Sequence, residues 1–382
     1  MALLKCYDPW LVIVVILLVL AGLFMVGSST SYLAMHDLKD ASALYWRQGI
    51  HAVIGMLAML VAIRFRYRLL AERPLLIGLY LGCLLLLVAV LFMPAIGGAH
   101  RWIIIGLFRF QPSELAKLFV VLFVAFKLVH QGDRLDEPRQ VLIPCLVVVG
   151  SAAVLVLAEP DLGSAAVLVL PAAAMLFGAG LRWKYIFSLA SLCALGVGIG
   201  ILVEPFRFQR IVDFVYYALG LREPSYQLKQ SLIAIGSGGF TGVGPGQGVQ
   251  KLFFLPASHT DFIFSIVGEE TGLVGTVLLL WAFLVIFWRG MRTCARTRDP
   301  FGSNLALGLT VLIVSQGLLH IAVCLGMLPT TGLTLPFISY GGSSLVASMI
   351  AMGLLINVSQ DCNLSVRLDR ESGKLSRRRP QS

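Results

Sequence analysis

Three stretches, Trp10 to Met25, Pro74 to Met93 and Val141 to Ala158, contain no charged side chain. Runs of this kind leave few structural options, because a backbone in lipid must satisfy its own hydrogen bonds, and an α-helix does so within one segment. The rest of the chain agrees. Hydrophobic residues make up 58% of the 382 positions and charged residues 13%, with a mean hydropathy of +0.87, which excludes a water-soluble surface. The fold class expected is all-α, a polytopic membrane protein. The first apolar run follows Lys5 without a small-residue cleavage site, so it reads as a retained span. Seven cysteines, four of them inside apolar runs, imply no disulfide framework.

A hydrocarbon core about 30 Å thick takes roughly 20 helical residues. On that measure ten transmembrane helices are expected, at about 10–27, 49–63, 74–93, 112–128, 141–158, 164–181, 185–203, 262–288, 305–327 and 341–358. One long extracytoplasmic loop, about 204–261, joins the seventh and eighth. The domain boundaries expected are a single transmembrane domain over 1–361 and a basic cytoplasmic tail over 362–382. Ten spans put both termini on one side, which also receives Arg64, Arg66, Arg68, Arg289, Arg292, Arg296 and the tail arginines. By the positive-inside bias that side is cytoplasmic. The formal charge of +10 is then explained by topology and needs no nucleic acid partner.

Ionisable groups at the outer ends of spans are informative, since a charge at a helix centre costs about 2.5–3.5 kcal/mol and persists with a partner or a function. Four clusters stand out. The first joins His100-Arg101-Trp102 to Gln111-Pro112-Ser113-Glu114-Leu115-Ala116-Lys117, where Glu114 and Lys117, three apart, can pair on one helical face. The second is Glu159-Pro160-Asp161-Leu162-Gly163-Ser164, which a turn with a capping acid would also explain. The third places Arg207 and Arg210 among aromatics, either as interfacial anchors or as guanidinium forks for phosphate. The fourth runs from Lys251 through His259-Thr260-Asp261, followed by Glu269 and Glu270; Thr-Asp before an apolar run is also a helix N-cap signal. The glycine string from Gly236 to Gly248 follows no strand and fits neither nucleotide-binding pattern. No cysteine and histidine spacing marks a metal site, although a hard divalent cation such as Mg or Mn, held by carboxylates and phosphate, leaves little sequence trace. The metal assignment is unknown from sequence.

A carboxylate among arginines and lysines at a membrane surface has a specific chemical meaning. Glycosidases use two carboxylates because the departing sugar oxygen needs a proton. A lipid pyrophosphate departs as an anion already, so cations can replace the acid, and one base suffices to activate the attacking hydroxyl.

At these residues the sequence resembles the SEDS family (shape, elongation, division and sporulation: FtsW, RodA and SpoVE). The matching strings are HRW at 100–102, QPSELAK at 111–117, EPDLGS at 159–164, YQLKQSLIAIGSGG at 226–239, LPASHTDFIF at 255–264, GEETG at 268–272 and GLTLPFISYGGSS at 332–344. The runs QSLIAIGSGG, VQKLFFLP and GLTLPFISYGGSS look closer to the FtsW branch. The resemblance implies a peptidoglycan glycosyltransferase that polymerises lipid II outside the bacterial cytoplasmic membrane, inverting the anomeric centre and releasing undecaprenyl pyrophosphate. It implies Asp261 as the essential aspartate, with Arg101, Trp102, Glu114 and Lys117 as important residues; together with the charged clusters, this makes Asp261 the expected catalytic base, with Arg101, Trp102, Glu114, Lys117, Arg207, Arg210, Lys251 and His259 toward the substrate. It also implies a class B penicillin-binding protein transpeptidase as partner, beside other divisome or elongasome membrane proteins. Two positions depart from the family pattern: Pro-Glu-Ala-His reads Pro-Ala-Ser-His here, and the segment after Arg210 reads Asp213-Phe-Val-Tyr-Tyr. The alternative functions are a lipid II flippase or transporter, which would need a polar path through the bilayer, and a scaffold that only recruits partners.

Overall fold

The structure is a computed structural model that describes residues 7–30, 38–95, 99–106, 108–131, 139–182, 205–252 and 254–376, with Tyr185, Ser191 and Gly198 between; side chains are described only in part over 38–43, 105–108, 205–207 and 362–376. It is a bundle of α-helices with one small β-hairpin. In chain order the elements are α1 (Pro9–Thr30), α2 (Leu38–Arg64), a 3-10 turn (Tyr67–Ala71), α3 (Arg73–Leu91), β1 (Ile103–Ile105), β2 (Phe108–Phe110), α4 (Pro112–Gln131), α5 (Leu142–Ala158), α6 (Leu162–Gly178), α7 (Pro205–Ala218), α8 (Tyr226–Ser237), α9 (Ile263–Arg296), α10 (Pro300–Cys324) and α11 (Gly342–Ser376).

Nine of the ten expected spans fall on helices, and the seventh, 185–203, lies almost wholly outside the described residues. Among the described residues, six helices, α1, α2, α3, α9, α10 and α11, are long and apolar enough to cross a membrane. At 17 residues each, α5 and α6 are apolar but shorter. A helix of that length rises about 25 Å, close to one hydrocarbon core. The second span starts earlier than expected, at Leu38, which makes it 27 residues long. The long loop is not irregular throughout, because α7 and α8 lie within it.

Two departures from a plain bundle matter for the site. First, β1 and β2 pair antiparallel, with Ile103 opposite Phe110, and carry the chain from Arg101-Trp102 back to Gln111. Second, α9 is broken at Gly272 (φ 63°, ψ −159°), a conformation open to glycine because it lacks Cβ. The outer loop fills the break: Leu273 N–H donates to Gly239 O (3.0 Å), Val274 N–H to Phe240 O (3.2 Å), and Val243 and Gly244 N–H to the carbonyls of Glu269 and Glu270. Amides exposed by a break at membrane depth are satisfied here by protein.

The glycine string is therefore a packing device. A Cβ on Gly238 would strike Gly268 O, and one on Gly242 would strike Glu270 O. The carboxylates of Glu269 and Glu270 hold the same loop from beneath. Glu269 accepts from Val249 N–H at 2.7 Å and Gln250 N–H at 3.1 Å, and Glu270 accepts from Gly246 N–H at 3.0 Å.

Candidate active site

The hairpin sets the first part of the site. Because its strands pair in register, Arg101 before β1 and Gln111 after β2 emerge side by side, and both reach Asp161 at the start of α6. The Gln111 Nε2 donates to Asp161 Oδ2 at 3.3 Å, and Arg101 Nη1 lies 3.7 Å from the same oxygen. Arg101 also donates through Nε to Glu159 O (3.2 Å) and through Nη2 to Pro160 O. Asp161 itself is buried and caps α6, accepting from Ser164 N–H at 3.0 Å. The capping reading of this turn holds. The turn also gives Arg101 a fixed cradle.

Asp261 arrives from the other side, on the turn before α9. That turn is wound around Ala257 (φ 55°), whose carbonyl accepts the N–H groups of Thr260, Asp261 and Phe262. A non-glycine residue held there costs of order 1–3 kcal/mol, which the three hydrogen bonds help to offset. The segment before α11 braces the turn: Ser339 Oγ donates to Thr260 O (2.7 Å), and Tyr340 N–H donates to His259 O (2.9 Å). The N-cap position of α9 is Phe262, with no side-chain cap, so Asp261 is not spent on capping.

Burial raises the Asp261 carboxyl to about 6, against the pull of a hydrogen bond from Thr260 and of the Arg101 and Arg210 charges, with Asp161 adding to the rise. Arg210, on α7, donates to Thr330 O at 3.3 Å. Burial and the charge of Arg101 lower its own pKa, while Asp261 raises it. Asp261, Arg101, Asp161 and Arg210 thus form one electrostatic group drawn from four separate segments. A base held near neutrality beside two guanidinium groups can take a proton while the arginines steady a departing anion.

Not every residue expected from sequence joins this group. Lys117 and Glu114 pair at 2.7 Å and are both buried, and Lys117 also donates to Gln316 Oε1 at 3.0 Å. Gln316 in turn donates to Thr334 O and Ser344 Oγ, which ties the pair to the segment leading into α11. Lys251 is likewise occupied, 2.6 Å from Glu270 and 2.9 Å from Ser28 Oγ. Trp102 is half-buried at the hairpin base. His259 packs edge-on against Tyr340, and burial lowers its pKa. Arg207 lies on α7, with its side chain outside the described residues.

Glu159 stands in the second sequence cluster, where spacing gives it no role of its own. It is fully buried, neither carboxyl oxygen has a hydrogen-bond partner among the described residues, and burial together with Asp161 raises it to about 8, against the pull of Arg101. Its surroundings therefore favour the protonated form, directly behind the Arg101 cradle. Among the described residues no group of three His, Cys, Asp or Glu side chains converges as a cation cage.

Residues 9–364 match the FtsW/RodA/SpoVE family, described as "Cell cycle protein". The chain is 39% identical over 357 residues to a probable peptidoglycan glycosyltransferase FtsW of Geobacter metallireducens, covering 92% of this chain and 94% of that one. It is 38% identical to stage V sporulation protein E of Bacillus subtilis, covering 92% and 97%. Among solved structures, a chain described under structural coordination of polymerization and crosslinking by a peptidoglycan synthase complex superposes with a TM-score of 0.74 at 28% identity, covering 94% of this chain and 98% of that one. The rod shape determining protein RodA of Thermus thermophilus gives a TM-score of 0.66 at 29% identity, with the same coverage.

Proposed function

The chain belongs to the FtsW/RodA/SpoVE family and is a peptidoglycan glycosyltransferase, and we propose that it joins lipid II units at Asp261 on the outer face of the bacterial cytoplasmic membrane. In this reading the Asp261 carboxylate takes the proton from the acceptor sugar hydroxyl as that oxygen attacks the donor's anomeric carbon. The C–O bond to the pyrophosphate breaks on the opposite face, so the centre inverts. Undecaprenyl pyrophosphate leaves as an anion, and the fork-shaped donors of Arg101 and Arg210 stabilise the charge that develops on it. A divalent cation such as Mg or Mn would be held by the pyrophosphate oxygens, which are suitable hard ligands, and would neutralise part of the leaving group's charge.

The observation that carries this reading is an Asp261 carboxyl relieved of helix capping and poised near pH 6 in the field of two arginines. Lys117 supports the site from behind, as one member of the Glu114–Gln316 network. The likeness to a complex that couples polymerization and crosslinking supports a crosslinking partner; in this reading that partner is a class B penicillin-binding protein transpeptidase of the divisome or elongasome, and the positive-inside bias puts both termini in the cytoplasm.

Purified Asp261→Asn and native protein, compared for glycan synthesis from lipid II in detergent and for lipid II translocation in vesicles, test the assignment. General-base catalysis contributes about 10²–10⁴-fold, so the Asn variant should lose polymerisation to that extent while remaining folded. An active, folded Asn variant would eliminate Asp261 as the base. Translocation without polymerisation by the native protein would replace the enzyme reading with transport.

A further inference from the structure

A cavity of about 900 Å³ opens where the end of α2 meets α11, lined in part by Tyr7, Ile63, Arg64, Phe65, Arg66 and Leu69. Its position across the membrane follows from α11. That helix begins at Gly342, next to the segment that braces the Asp261 turn, and reaches Asp361 at the cavity. Nineteen residues rise about 28 Å, one hydrocarbon thickness. The cavity therefore lies at the membrane surface opposite the catalytic group, at headgroup depth.

Its charge is one-sided. The carbonyls at the end of α2 would repel an anion, but Asn357 Nδ2 covers those of Ala62 (2.8 Å) and Phe65, and Gln360 Nε2 covers that of Ile63 (3.1 Å). The carboxylates are also engaged. The Tyr67 hydroxyl lies 2.8 Å from Asp299 and 2.7 Å from Asp361, and Arg68 bonds Asp361 at 2.9 Å. What remains is Arg64 and Arg66, both exposed, with no carboxylate partner among the described residues. Beside them stand the apolar walls of Ile63, Phe65 and Leu69.

We propose that this cavity is a binding site for a phosphate-bearing anion, gripped by Arg64 and Arg66. Guanidinium forks match phosphate oxygens, and the apolar walls at headgroup depth suit the glycerol and first methylenes of an anionic phospholipid. A soluble phosphate would use the same two arginines and leave the walls empty.

Full-length protein in phosphatidylcholine nanodiscs, titrated in one arm with phosphatidylglycerol and in the other with inorganic phosphate, tests this. Retained phosphatidylglycerol is counted by native mass spectrometry, and phosphate binding is read as a rise in Tm. The native chain and Arg64→Lys/Arg66→Lys should hold phosphatidylglycerol, and Arg64→Gln/Arg66→Gln should bind about tenfold more weakly or worse. A response to inorganic phosphate alone that the glutamine pair abolishes supports the site with a soluble source. Equal retention by the glutamine variant, or no response in either arm, overturns it. Should the double variant melt early, Arg66→Gln alone decides: reduced retention supports the site and undiminished retention removes it.

Discussion

Asp261 and Arg101 both border Gly332: a methyl group on that glycine would lie 3.5 Å from Asp261 Oδ2 and 3.7 Å from Arg101 Nη1. The base and one cation of the proposed reaction thus pack against the same glycine. Its φ of +70° also favours glycine. Replacement by alanine should cost about 1–2 kcal/mol from the left-handed backbone. The methyl would also stand in contact with both base and cation, and relief of the backbone strain would shift it against them. Since a displacement of about 1 Å can cost 10²-fold in rate, Gly332→Ala should lower kcat/KM far more than its loss of Tm explains. Activity and melting measured on the same preparation check this; full activity would show that substrate does not reach the two groups past this glycine.

Asp261 works as a base only when ionised, so its elevated pKa fixes the sign of the pH dependence. The rate should rise with pH through about 6 and level off above it. The charge of Arg210 lowers that pKa. Arg210→Gln should therefore move the midpoint upward, in addition to weakening turnover. A kcat/KM profile for both proteins tests the coupling, and an unmoved midpoint would separate Arg210 from the base.

Lys251 and Glu270 are almost fully enclosed, and removing one member of a buried ion pair typically costs about 3–5 kcal/mol because the other charge is stranded. Lys251→Met should destabilise the protein strongly, and Lys251→Met/Glu270→Leu should recover part of that loss. A double-mutant cycle on unfolding measures the coupling. Loss of substrate affinity at unchanged stability would return Lys251 to the substrate.

For Glu159 the sign runs in the opposite sense to that of an ordinary salt-bridged acid. Its folded-state pKa, about 8, lies above the model-peptide value of 4.5, so the unfolded chain releases the proton first. Stability should fall as pH rises between those two values. Glu159→Gln should flatten that slope, and Tm measured from pH 5 to 8 distinguishes the two proteins.

Much of the fold was legible because uncharged apolar runs permit little besides helices; the helices lie where the apolar runs are, although several, such as α2 from Leu38 and α9 to Arg296, extend beyond them. The hairpin was not legible: Ile103 to Ile105 reads as more apolar sequence, and only its register explains why Arg101 and Gln111 reach the same acid. The site was half legible. Arg101, Arg210 and Asp261 could be read as a charged cluster at one face. Nothing in spacing alone said that Lys251 would be taken by Glu270 and a serine 223 positions away, or that Phe262, not Asp261, would stand at the helix cap. Glu159 was visible in its cluster, but its isolation was not, because an absence of partners has no linear pattern.

The β1–β2 ribbon has one practical consequence. Its base is fixed, since Arg101 and Gln111 both end on Asp161, while its other end closes at Ile105 opposite Phe108, beyond the residues that touch the acid. Extra residues between Ile105 and Phe108 would lengthen the ribbon and leave its base in register. That tip is a place to graft a fluorophore or an affinity handle that reports from beside a working catalytic centre.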